Sequence, residues 1–245
     1  MHLVRDFHAL FSLASLISLL TLSVLEVVLG IDNIIFISIV AGQLPRNKQR
    51  KARTIGLMLA LIMRIALLFS ITWVIGLKDP LFTIMGFAAI GRDLILFSGG
   101  LFLLYKTTME IHQKIEGSEE GNERNLKKAT LNSAIIQIVI IDIVFSFDSI
   151  LTAVGLVDNI LIMISAVIVA MFIMLSFSEK VSDFINENPT IKMLALAFLL
   201  MIGMILIMDA FHIHVPKGYV YFSMAFSLLV ESLNIRMHKK KTTKK

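Results

Sequence analysis

The chain contains no cysteine, so disulfides, thiolate metal sites and cysteine nucleophiles are excluded. Charge is scarce: 17% of the 245 residues are Asp, Glu, Lys or Arg, against about 25% in an average soluble domain. Proline occurs four times and tryptophan once. No phosphate-binding loop of the form G-x-x-x-x-G-K-[ST] is present, which argues against direct nucleotide-driven chemistry. What remains is apolar. Hydrophobic residues make up 57% of the chain and the mean hydropathy is +0.84. A soluble protein this apolar lacks the polar groups to cover its surface, and a disordered one needs low hydrophobicity and high net charge. The composition therefore predicts a polytopic membrane protein whose spans each need about 20 mostly apolar residues.

Seven apolar segments can be marked: Leu10–Gly42, Ile55–Leu77, Leu94–Thr108, Ala129–Leu156, Ile160–Phe177, Ile191–Met208 and Tyr219–Leu233. The third is short and is expected to start nearer Phe87. The runs are continuous rather than alternating, so the expectation is all-α, with about seven transmembrane helices and no β-barrel. The N-terminal run has Arg5 as its sole basic residue and no small-residue cleavage site, and is read as a retained span.

Lys and Arg alternate between connections. Arg46, Lys48, Arg50, Lys51, Arg53, Lys106, Lys114, Arg124, Lys127, Lys128, Lys180, Lys192 and the tail cations from Arg236 to Lys245 fall on one side; Arg5, Lys78, Arg92 and Lys217 fall on the other. The net charge of +5 thus reads as membrane orientation rather than nucleic-acid binding. It places the N-terminus outside and the C-terminus in the cytoplasm. The organisation expected is a single membrane domain over residues 1–235 and a basic cytoplasmic tail over 236–245. The acidic segment Glu116–Arg124 reads as a solvated loop.

Two spans carry related strings. Glu26-Val-Val-Leu-Gly-Ile-Asp32-Asn33-Ile34 in the first matches Asp142-Ile-Val-Phe-Ser-Phe-Asp148-Ser149-Ile150 in the fourth. Each has a carboxylate, five intervening residues, an aspartate, a small polar residue and isoleucine. The two spans are three apart in order, an odd number, so the strings run in opposite directions. This predicts an inverted repeat of three spans plus three, with a seventh added: repeat one over about residues 10–112, repeat two over about 129–209, and the extra helix over about 218–235.

On a straight helix six residues turn about 600°, which sets Glu26 and Asp32 about 120° apart, whereas seven turn about 700° and place Glu26 and Asn33 on one face, and likewise Asp142 and Ser149. Either the helix breaks, with Gly30 and Ser146 as candidate break points, or the ligands form two levels. The expected pairing by depth sets Glu26 opposite Asp148, and Asp32 opposite Asp142.

Carboxylates at this depth persist if they are protonated, paired or bound to a cation. Glu26, Asp32, Asn33, Asp142, Asp148 and Ser149 offer hard oxygen ligands, which suit Mg²⁺, Ca²⁺ or Mn²⁺. Arg64, inside the second span, is either the counter-charge that fills the site when the ion leaves or a permanent structural partner. Asp93, Glu110, Asp209, Glu231 and Asn234 read as interfacial, His212 and His214 as polar loop, and Gly99-Gly100 as a place of close helix contact.

These strings, together with Arg92-Asp93-Leu94, Ile115-Glu116-Gly117 and His212-Ile-His-Val-Pro-Lys-Gly-Tyr219, resemble the TerC family of integral membrane proteins, in its short form without appended cytoplasmic domains. The resemblance runs over nearly the whole chain. It implies a multi-pass bacterial inner or plasma membrane protein, an inverted repeat of three spans, and an ion site lined by Glu26, Asp32, Asn33, Asp142, Asp148 and Ser149. Because several members are similar to manganese exporters, it implies a transporter exporting a divalent cation, with Mn²⁺ first, as substrate rather than cofactor.

Partners expected are the lipid bilayer and the cation, without nucleic acid; self-association into a homo-oligomer is compatible with this. No enzymatic role and no cofactor are expected. Two alternatives stand beside the transporter. One is a non-transporting membrane partner that assembles with export machinery or delivers metal to secreted proteins. The other is an intramembrane aspartyl protease, against which stand the missing Gly-x-Gly-Asp string and four carboxylates instead of a dyad.

Overall fold

The computed structural model describes residues 13–70, 80–84, 87–116, 130–157 and 159–242. The start of the first span before Leu13, the loop after Glu116 and the side chain of Asp148 lie outside the described residues.

The helices are α1 (Leu13–Leu29), α2 (Ile31–Gly42), α3 (Arg46–Phe69), α4 (Gly91–Ile115), α5 (Leu131–Leu156), α6 (Ile160–Glu187), α7 (Pro189–Ala210) and α8 (Lys217–Thr242). Among the described residues, five stretches are long and apolar enough to cross a bilayer: Leu13–Gly42, Arg46–Phe69, Gly91–Ile115, Ile160–Glu187 and Pro189–Ala210. The protein is an all-α integral membrane protein, with one local exception among the described residues. Strands β1 (Pro80–Ile84) and β2 (Phe87–Ile90) form an antiparallel hairpin before α4. The third span was expected to start nearer Phe87; the helix starts at Gly91, and Phe87–Ile90 pairs as a strand instead. Periodicity does not separate short apolar runs of this kind into helix and strand.

Local chemistry explains the helix ends. Thr130 caps α5, its side chain accepting from the Ser133 N–H at 3.3 Å. Pro189 opens α7, where a missing N–H does no harm. The same helix closes in a Schellman motif, with Ile213 N bonded to Met208 O at 2.9 Å and His212 N to Asp209 O at 3.0 Å. His212 takes the left-handed position, φ 61°, that glycine usually fills.

The chain divides into two compact units. The first comprises residues 1–92 and 126–184, hence α1, α2, α3, the hairpin, α5 and most of α6. Within it α3 packs most extensively against α5, and α2 packs on both. Gly56 lets α5 pack close against α3: a Cβ there would lie 2.8 Å from Ile138 Cγ2. The second unit comprises residues 93–125 and 185–245, hence α4, α7 and α8. In it the backbones of α4 and α7 meet at Gly100, where a Cβ would lie 2.9 Å from Gly203 O. This is the close helix contact expected of Gly99-Gly100.

Candidate functional site

The site lies in the first unit and starts from the matched strings. The break expected at Gly30 is present but slight. Gly30 separates α1 from α2, yet its N–H still bonds Glu26 O at 2.8 Å and its carbonyl still accepts from Ile34 N at 3.1 Å. Its missing side chain leaves room for Met174 of α6, which a Cβ would strike. The break expected at Ser146 is absent: α5 runs unbroken from Leu131 to Leu156. Ser146 does something else, donating its hydroxyl to Asp142 Oδ2 one turn back at 3.1 Å.

Arg64 of α3 is the centre of the arrangement. Its Nη1 donates to Glu26 Oε2 at 2.8 Å and its Nη2 to Asp142 Oδ1 at 2.8 Å, with Nε on Asp142 Oδ2 at 3.1 Å. Asp142 is thus held through both oxygens in the fork geometry that guanidinium favours. All three residues are buried, Glu26 and Asp142 at 2% and Arg64 at 3% exposure. Asn33 Nδ2 adds a hydrogen bond to Asp142 Oδ1 at 3.0 Å. Ser149 donates to Ser146 O at 3.2 Å and stands within hydrogen-bond reach of the Glu26 carboxylate.

The shared faces predicted from helix phase therefore meet. Glu26 and Asn33 on one side face Ser149 and Asp142 on the other. The leading carboxylate of each string contacts the small polar residue of the other. The pairing expected by depth is not the one observed for Asp142, whose partners are Asn33, Arg64 and Ser146. An interval of six residues turns Asp32 about 120° from Glu26, off the meeting face. Asp32 is buried at 5% exposure. For Asp148 the backbone position on α5 is described and the side chain is not.

Among the described residues no group of three or more His, Asp or Glu side chains is placed to hold one metal ion. The cationic position between Glu26 and Asp142 is taken by Arg64. At the site the buried acceptor Asn33 Oδ1 has no hydrogen-bond partner among the described residues. Beside Glu26 lies a cavity of about 10 Å³ walled by Leu22, Leu68, Ile150, Ala153, Met163 and Val167. Its walls are otherwise apolar, and it has room for about one water.

Two His–Asp contacts that the sequence reading missed lie in the second unit. Asp93 and Asp209, expected at the interface, are buried at 3% and 5%. His212 Nε2 lies 3.0 Å from Asp93 Oδ2, and His214 Nδ1 lies 3.2 Å from Asp209 Oδ1. The sequence signal was the His-x-His string itself, whose partners lie 119 and five residues away.

The profile of the integral membrane protein TerC family matches residues 11–245. The UPF0053 inner membrane protein YgdQ of Escherichia coli K12 is 51% identical over 220 residues, covering 90% of this chain and 92% of its own. A UPF0053 protein of Haemophilus influenzae is 47% identical over 223 residues, covering 91% and 94%. The E. coli inner membrane protein YoaE is 48% identical over 216 residues, which is 88% of this chain but 42% of its own. No solved structure matches. The inner-membrane relatives and the apolar helices together make this a multi-pass inner membrane protein. Matched to the family profile over nearly its whole length, the chain belongs to the integral membrane protein TerC family.

Proposed function

We propose that the protein is a secondary transporter that exports a divalent metal cation, with Mn²⁺ the first candidate. The observation that carries this reading is the buried triad Glu26–Arg64–Asp142. Two carboxylates and one guanidinium, taken out of water inside an apolar bundle, are expensive to keep for stability alone, because hydrophobic residues of the same volume would serve as well. The same groups suit a site that alternates between a tethered cation and a mobile one. Arg64 holds the two carboxylates when the cargo is absent. A divalent ion entering between them takes oxygen ligands from Glu26, Asp142, Asn33 and Ser149, and Arg64 is displaced. Asp32 and Asp148, at the equivalent position of each string, supply a second level of ligands. Protons or sodium serve as the coupling ion.

The transport domain in this reading covers residues 1–235, with seven spans, an inverted repeat of three plus three, the N-terminus outside and the tail in the cytoplasm. Two features support the repeat. The contacts between the two strings are reciprocal, and the first unit collects the first two spans of each half. At 26 residues, α5 is about 39 Å long, enough for the fourth span. The protein has no enzymatic role in this account.

Uptake of radioactive manganese into inverted vesicles tests it. Flux in the wild type, lost in Glu26→Gln, Asp142→Asn, Asp32→Asn and Asp148→Asn, is the expected result. No flux of any divalent cation through purified, reconstituted protein would refute it. One observation favours a second reading, a non-transporting membrane partner: Arg64 already satisfies both carboxylates, as a permanent clamp would. Flat vesicle fluxes together with co-purification of export machinery would select that reading.

A further inference from the structure

A second buried arginine in the first unit has a very different environment. Arg53 of α3 is 4% exposed, as deeply buried as Arg64. Arg64 has two carboxylates; Arg53 has a neutral hydroxyl, its Nη1 donating to Ser182 Oγ of α6 at 3.0 Å. Among the described residues no carboxylate lies within ion-pair distance of it, and Ser182 is its one hydrogen-bond partner. A guanidinium carries five N–H donors in a planar fork, and a buried cation without a counter-charge is strongly unfavourable.

The surroundings add positive charge rather than neutralise it. Arg46 and Arg50 precede Arg53 by seven and three residues, within an arc of about 60° on the same side of α3. Both are exposed. Arg50 meets one acidic group, Glu179 of α6, at 4.0 Å in an exposed pair that contributes little. The first turn of α3 holds no acidic residue, and Pro45 before it gives no side-chain cap. The partial positive charge of the helix end is therefore not offset locally.

We propose that Arg53, with Arg50 and Ser182, binds the phosphate of an anionic membrane lipid at this end of α3 and α6. A phosphate accepts two parallel hydrogen bonds from a guanidinium fork. It supplies the counter-charge that Arg53 lacks. Basic sites between membrane helices near the headgroup region recognise anionic lipids in this way. The site is separate from the Glu26–Arg64–Asp142 triad and does not depend on the transport reading. Inorganic phosphate offers the same chemistry without acyl chains, so the experiment separates the two.

Full-length protein is purified in detergent, stripped of lipid, and offered phosphatidylglycerol, phosphatidylcholine or inorganic phosphate at matched ionic strength. The readouts are lipid retention by native mass spectrometry and the thermal midpoint. Phosphatidylglycerol is expected to be retained and to raise the midpoint of the wild type, while phosphatidylcholine and phosphate do neither. Arg53→Gln is expected to weaken retention about tenfold, the loss of one charge-assisted contact, with smaller losses for Ser182→Ala and Arg50→Gln. If Arg53→Gln does not fold, the other two variants carry the test. Retention unchanged in every folded variant overturns the proposal, and so does a midpoint rise with inorganic phosphate equal to that with the lipid.

Discussion

Asn33 donates its amide to Asp142 across 109 residues of sequence, at 3.0 Å in a fully buried setting. It follows Asp32 directly, yet the amide and not that carboxylate meets Asp142. The reason is helix phase, since a seven-residue interval from Glu26 returns to the same face and a six-residue interval does not. The contact turns a spacing in one string into a packing relationship between two, and it can be tested.

The absence of native cysteine gives a clean background for paired substitutions. The pairs N33C/D142C and E26C/S149C are expected to form disulfides on mild oxidation, because these positions face each other. The pair E26C/D142C is expected to link poorly, since a whole guanidinium separates the two side chains. Gel mobility before and after reduction reads the result. Efficient E26C/D142C linkage with none for the other two would contradict the geometry.

Removing Arg64 leaves two buried carboxylates without a counter-charge. Arg64→Met should lower stability by about 3–5 kcal/mol in the absence of divalent ions, the usual consequence of breaking a buried pair from one side. In the transport reading, millimolar Mn²⁺ should restore much of the thermal midpoint in this variant and much less in the wild type. Equal responses in both would argue for a permanent clamp.

Gly100 and Gly203 lie at one helix contact but should tolerate change differently. A Cβ at Gly100 meets the Gly203 carbonyl at 2.9 Å and Ile207 N at 3.2 Å, which are backbone atoms that cannot move aside alone. A Cβ at Gly203 meets chiefly the Leu104 side chain, at 3.0 Å. Gly100→Ala is expected to cost about 1–3 kcal/mol and Gly203→Ala less, as overpacking penalties depend on what can yield. Thermal unfolding of the two variants side by side checks the order.

His212 combines a left-handed backbone with a bond to buried Asp93. His212→Ala should lose the side-chain partner and retain the backbone strain. His212→Gly should lose the partner and relieve the strain. The glycine variant is therefore expected to be the more stable by about 1 kcal/mol. Matching midpoints for the two variants would mean that the turn is not strained.

The sequence by itself determined the membrane class and the two strings. Both are properties of composition and local spacing, so no knowledge of distant contacts is required. Helix phase also determined which residues of each string share a face, and Asn33 and Ser149 lie where that phase puts them. Tertiary structure decided what meets that face. Arg64 stands 38 residues from Glu26 and 78 from Asp142, and nothing in its own segment distinguishes a bridging arginine from one paired to a single acid. The role of Ser146 was decided in the same way, because a serine in an apolar helix reads equally as a break or as a donor to the preceding turn. The contrast between Arg64 and Arg53 is the clearest case. The same residue type sits on the same helix at nearly the same burial, with two carboxylates in one environment and one hydroxyl in the other. Burial and partners are set by the neighbouring helices, and local sequence does not encode them.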